Sequence, residues 1–224
     1  AFNGVVPHIP QDSHAQLQYV CERAKGIGVK LQEEIWNALG ENWKEIKQDE
    51  VHKITPAKYL VLMEAIDVFE LEKDKSEAIS YLISKGCTLK MGVTAYSKWE
   101  KQTVGVVNNN CFRLTELPNY GFSDVDKVIR HSFNIKDNDP RRIKAAVIYS
   151  MQLITADGST IADWANLKVC IQNVLPQMNL EIIANEIKEL FKESKLIAFE
   201  KSHRISLAKH YEQEKQIWHF IGGW

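Results

Sequence analysis

The sequence predicts a mainly α chain. Short helices joined by tight turns form a bundle, and three further helices close on a small β-hairpin. Three observations point to it. Apolar residues recur at three- and four-residue steps over most of the chain, the period of a half-buried helix. Glycine, asparagine and proline punctuate those stretches and mark their ends. Late in the chain, Leu196–Phe199 and Arg204–Ala208 read as two strands about a Glu200–His203 turn.

Residues 1–11 hold Pro7 and Pro10 and read as an extended lead-in. Asp12 or Ser13 can N-cap the first helix, Leu17–Ala24, and Lys30–Leu39 is the second, stopped by Gly40. Between them lies Lys25-Gly26-Ile27-Gly28. Each glycine permits backbone that a Cβ hinders and lets a ligand approach the main chain. Ile27 can plug the gap between the helices. The N–H groups of the turn and of the next helix then point outward at the positive end of a helix dipole, which suits phosphate. Lys25 and Lys30 flank the turn with full charge.

Trp43 and Ile46 begin a short amphipathic turn. Thr55 and Pro56 then form a clear helix start. The stretch 51–58 is placed as a second hairpin without glycines, and Pro56 has no N–H to give a phosphate, so it reads as structural. Ser76–Ser84 reads as a separate helix ended by Gly86, and Leu89–Trp99 follows. Asn108-Asn109-Asn110 is a turn former. Asn119-Tyr120-Gly121 has the shape of Gly-Ile-Gly, with Asn in the left-handed position. Asp139 and Pro140 open a helix whose buried face is Ile143, Val147, Met151 and Ile154. Thr160-Ile161 can be a short strand, Trp164–Leu175 ends at Pro176, and Asn179 caps a further helix. Three helices followed by a β-hairpin is the order of a winged-helix domain. A last helix runs to Ile221.

Composition excludes several classes. No apolar run approaches eighteen residues, so no membrane span is expected. Cys21, Cys87, Cys111 and Cys170 contain no Cys-x-x-Cys pair and read as reduced, mostly buried thiols of a cytoplasmic protein. The net charge is −1, so nucleic-acid binding must rest on local patches. Acids cluster at Glu64–Glu77, cations at Arg141-Arg142-x-Lys144 and at Lys201–His210. No His-Glu-x-x-His is present, and Asp157-Gly158-Ser159-Thr160 is more simply a helix-ending turn than a nucleophile turn. No catalytic residue and no metal site is expected. Trp36, Trp43, Trp99 and Trp164 sit in apolar stripes and are expected in the core.

The Lys25–Gly28 turn and its helices resemble the helix-hairpin-helix motif of DNA-repair proteins, which grips the DNA backbone without reading sequence. The resemblance widens along the chain. Gly26-Ile27-Gly28, Asn110-Cys111-Phe112-Arg113-Leu114, Tyr120-Gly121-Phe122 and Asp139-Pro140-Arg141-Arg142 come in the order and similar spacing of RecD-like superfamily I DNA helicases, often named as the alpha chain of exodeoxyribonuclease V. Cys111 and Phe112 depart from that family's Asn-Pro-Tyr-Arg-Leu, and Asn119 departs from its later Gly-Ile-Gly-Phe. The likeness covers roughly residues 12–218. It implies a tandem helix-hairpin-helix domain over 12–136, a winged-helix-like domain over 137–209 and a connecting helix over 210–224 toward motor domains. The motor is missing here, because no Gly-x-x-x-x-Gly-Lys-Ser/Thr and no Gly-Lys pair occurs. ATP and magnesium are expected only of that motor.

The expected function is therefore non-specific binding of the backbone of single-stranded or junction DNA in support of a helicase that is itself an ATP-dependent enzyme. Lys25, Gly26, Ile27, Gly28 and Lys30 would hold phosphate. Tyr120, Gly121 and Phe122 would do so less well, and Lys201, His203 and Arg204 on the wing form a third surface. The competing reading is an interaction module that packs against helicase motor domains or a partner protein.

Overall fold

The computed structural model describes residues 9–199 and 202–222. The chain divides into two compact units, residues 1–81 and 82–224.

In the first unit, α1 (Ser13–Cys21) is capped by Asp12, whose Oδ1 accepts the Ala15 N–H at 2.9 Å. The hairpin turn leads to α2 (Val29–Leu39), a 3-10 turn at Gly40–Glu45, and α3 (Pro56–Ser84). One core cluster joins them, including Leu17, Val20, Ile27, Ile35, Trp43, Leu62, Ile66 and Phe69. Ile27 plugs the gap between the two helices as its spacing predicts. The separate helix expected over Ser76–Ser84 does not exist, because α3 runs unbroken for 29 residues. Its middle, Glu70–Glu77, is rich in Glu and Lys and holds no Gly or Pro. Such residues favour helix without needing a core beneath them.

The second unit continues with α4 (Leu89–Trp99), α5 (Thr103–Asn109), a 3-10 turn at Cys111–Glu116 and α6 (Phe122–Ser132). Thr88 caps α4, and the Asn110 side chain caps the 3-10 turn by accepting the Phe112 N–H. Next come α7 (Pro140–Ile154), β1 (Ile161–Asp163), α8 (Trp164–Val174), α9 (Leu180–Lys192), β2 (Leu196–Phe199), β3 (Arg204–Leu207) and α10 (Ala208–Gly222). Asp139 and Asn179 cap α7 and α9 as expected. The three strands form an antiparallel sheet in the order β1-β3-β2.

Helix α7 is the axis of this unit. Its buried Ile143, Ala146, Val147 and Met151 face α8 and α9, which bring Leu167, Ile171, Ile187 and Leu190. Arg142, one of the apparent surface cations, turns inward. Its guanidinium makes two 2.8 Å bonds to Asp126 on α6. Such a bidentate pair satisfies both buried charges at once. Trp43 is fully buried, but Trp164 is 42% exposed and is not core. Among the described residues no helix is long and apolar enough to cross a membrane, and no three potential metal ligands come together. Cys21, Cys87 and Cys111 are free and buried. Burial pushes the Cys21 thiol up to about 12 and those of Cys87 and Cys111 up to about 11, so they are packing groups rather than nucleophiles.

Candidate nucleic-acid interface

The first hairpin is built by its backbone. Gly26 has φ +89, the left-handed region that favours glycine. The Ile27 N–H donates to Ala24 O at 3.1 Å and closes the turn. Gly28 is the N-cap of α2, with φ −93 and ψ 172, ordinary extended backbone. No side chain caps α2 and no acid lies in its first turn. The first bond to Gly28 O comes from Leu31 at 2.9 Å, so the N–H groups of Gly28, Val29 and Lys30 have no acceptor within the helix. A Cβ built on Gly26 or Gly28 would meet nothing within 4 Å among the described residues. The turn is open to an approaching ligand.

That openness belongs to a cleft of about 410 Å³, where Gly26, Gly28 and Lys30 face Lys53 and Lys58. Glu34 also lines it and is ion-paired with Lys53. Lys25 is exposed beside the turn but does not line the cleft. The stretch 51–58, read from the sequence as structural, supplies two of the three ammonium groups that line this cleft. Sequence reasoning missed them by looking at what Pro56 lacks rather than at the lysines on either side.

The later hairpin has the same backbone. Asn119 has φ +68 where Gly26 has +89, and Gly121 has φ −83 and ψ 174 as the N-cap of α6. Its surroundings differ. Asp124 Oδ2 accepts the Gly121 N–H at 3.3 Å, so an acid already sits at the helix N-terminus. A Cβ on Gly121 would lie 3.0 Å from the Tyr149 ring. Phe122 is buried and stacks on Phe112 at 5.9 Å, so its side chain is core and not a phosphate contact. Tyr120 is half-buried.

A third turn of this kind went unread in the sequence. Lys85-Gly86-Cys87-Thr88-Leu89-Lys90 repeats Lys25-Gly26-Ile27-Gly28-Val29-Lys30 at sixty positions' distance (85 − 25). Gly86 has φ +87. Gly40 and Glu100, which end the following helices at the same offset, share φ +53 and +47. The signal was the paired lysines, hidden because Cys87 and Thr88 replace Ile and Gly. Here Thr88 accepts the Met91 N–H at 3.2 Å, and Val128 of α6 lies against Gly86.

At the wing, His203 has φ +52 and is exposed, as is Arg204, whose Nε lies 3.9 Å from Asp163 Oδ1. Lys201 lies outside the described residues.

The family model described as the ATP-dependent RecD2 DNA helicase HHH domain matches residues 72–161. The match supports an N-terminal helix-hairpin-helix region of a RecD2-like helicase. It takes in the turns at Gly86 and Gly121 and stops at β1, and Gly26–Gly28 lies outside the matched residues. No curated protein matches the chain.

Proposed function

We propose that the chain grips the backbone of single-stranded or junction DNA, without reading sequence, as an accessory region of a RecD2-like ATP-dependent DNA helicase acting in the cytoplasm in DNA repair and recombination. The observation that supports this is the open cleft at Gly26–Gly28, where uncapped N–H groups and three lysines converge. Amide and ammonium donors fit phosphate oxygens and carry no base information. Electrophoretic mobility shifts at two salt concentrations test it. Binding is expected to weaken steeply with salt, as counterion release requires. Salt-independent binding, or none, would overturn the proposal.

The sequence holds no phosphate loop, so the catalytic part of such a helicase, with its ATP and magnesium, is not in this chain. Purified protein is expected to release no phosphate from ATP above a mock preparation, with or without single-stranded DNA. Residues 137–209 read as winged-helix-like, with β2 and β3 as the wing and His203 and Arg204 as a minor contact. The outward side of α9 mixes Glu181 and Glu189 with Lys188 and Lys192, which does not favour insertion into a groove.

One observation favours a second reading, in which the chain also docks on helicase motor domains or a partner protein. Ile217, Trp218, Phe220 and Ile221 on α10 are all exposed, Phe220 to 80%. A contiguous apolar patch of this kind marks a contact surface.

A further inference from the structure

The motifs Asn110–Leu114 and Asp139–Arg142 carry much of the family likeness, yet the hairpin cleft uses neither. In the second unit they meet in a single cleft of about 660 Å³. Its floor is one face of α7, from Arg141 through Lys144 and Ile148 to Gln152. The eleven helical steps from Arg141 to Gln152 give it roughly 16 Å of length, room for more than one phosphate. Arg113 stands on one wall and Lys195 on the other. We propose that this cleft is a second nucleic-acid site, and that it takes a phosphodiester strand.

The cations are held in place by shared carboxylates. Arg113 bonds Glu116 through Nε at 2.9 Å and Nη2 at 3.1 Å, and Lys98 reaches the same carboxylate at 3.3 Å. Lys144 and Lys195 share Glu193 at 2.6 and 3.2 Å, with Glu186 a further 3.7 Å from Lys144. Arg141 is fixed by Asp139 through Nη2 at 2.8 Å and Nε at 3.1 Å. Five cations thus stand against four carboxylates. The Lys144 bond holds the Glu193 carboxyl below its usual range. Burial pushes the Glu116 carboxyl up, but Arg113 and Lys98 outweigh it and hold it low as well. Both acids line the cleft with the cations, are charged at neutral pH and hold the ammonium and guanidinium groups in place there.

Such a surface is rich in donors and suits a ligand that only accepts. Phosphodiester oxygens fit that description, and guanidinium groups bind them in a fork. A protein segment fits less well, because protein interfaces are anchored by apolar and aromatic groups in pockets. Here Phe112 is only 2% exposed, and the apolar floor consists of Ala145 and Ile148.

The test uses the full chain and a fluorescein-labelled oligothymidylate, read by anisotropy at several salt concentrations. Lys144→Ala with Lys195→Ala is expected to weaken binding about fivefold or more and to lower the salt slope by about 1.4, at roughly 0.7 per single-strand phosphate contact. In wild-type protein the oligonucleotide is expected to protect Lys144 and Lys195 from acetylation, read by mass spectrometry. An unchanged slope with no protection would overturn the proposal, as would equal protection by a polyglutamate peptide, which would assign the cleft to an acidic polypeptide. Should the double variant fail to fold by circular dichroism, the wild-type footprint decides. Lys30→Ala measured alongside separates the two sites. Loss only in Lys30→Ala sinks this proposal, and loss only in the cleft pair sinks the hairpin reading.

Discussion

The turns at Gly26–Gly28 and Asn119–Gly121 are the same piece of backbone used in two ways. Each has a left-handed first residue and an extended N-cap, with φ +89 and −93 in one and +68 and −83 in the other. At Gly121 the anion position is filled by Asp124 and the flank by Tyr149. At Gly28 neither an acid nor a neighbouring side chain intervenes. The intermediate case, Gly86-Cys87-Thr88, is capped by its own threonine. Turn geometry therefore creates the potential for an anion site. The residue at or three places after the N-cap decides whether that potential is spent inside the protein or left for a ligand.

The same substitution at both turns should give opposite results. Gly121→Val drives a side chain into Tyr149 and is expected to cost about 1–3 kcal/mol of stability, with DNA binding by the folded fraction unchanged. Gly28→Val meets no neighbour and no φ strain. Its stability loss should stay within the roughly 1 kcal/mol of a poorer N-cap, while close approach of phosphate is blocked. Thermal melts and anisotropy on both variants check this. Equal behaviour of the two would erase the distinction. Gly28→Asp then gives the earlier turn a side-chain N-cap, the position that Thr88 fills in the middle turn. The new carboxylate caps α2, so stability should hold or rise by about a few tenths of a kcal/mol, read as an unchanged or slightly higher melting temperature. DNA affinity should fall about tenfold, or 1.4 kcal/mol. Retained binding would show that the N–H groups are not the contact.

A gentler probe is Lys30→Ala, which removes one exposed charge beside the open turn. Affinity is expected to fall a few-fold and the salt slope by roughly 0.7 on single-stranded DNA. An unchanged slope would leave phosphate contact to Lys53 and Lys58 alone.

Apart from the break expected before Ser76, which α3 does not have, the helices, their caps and the strands were legible because each rests on local chemistry. Thr55-Pro56, Asp139-Pro140 and Asn179 announce helix starts, and Asn119 announces its positive φ. What was not legible depends on groups distant in sequence. Nothing near Gly121 says that Tyr149 will cover it. Nothing near Arg142 says that Asp126 will draw it inside, so the basic run at 141–144 overstates the surface charge. Trp164 looked like core because its stripe is apolar, yet its helix starts at the edge of the sheet and leaves it 42% exposed. Lys53 and Lys58 were passed over because their turn lacks glycine, although the cleft opposite Gly28 needs only their charge.

The smallest expected effect comes from Asp124→Ala, which separates the two obstacles at the later turn. Loss of the bond to the Gly121 N–H, and of an acid near the helix N-terminus, should cost about 0.5–1 kcal/mol. The N–H groups of α6 are then uncapped, as those of α2 are. Tyr149 still lies against Gly121, with ring atoms 3.0–3.3 Å from where a Cβ would stand, and a phosphate needs that same space. If packing is the decisive obstacle, the variant should bind DNA no better than wild type at any salt. A gain in affinity with a steeper salt slope would mean that Asp124 alone closes the site. The difference between the two hairpins would then reduce to one carboxylate, and the later turn would be a phosphate site held shut by its own cap.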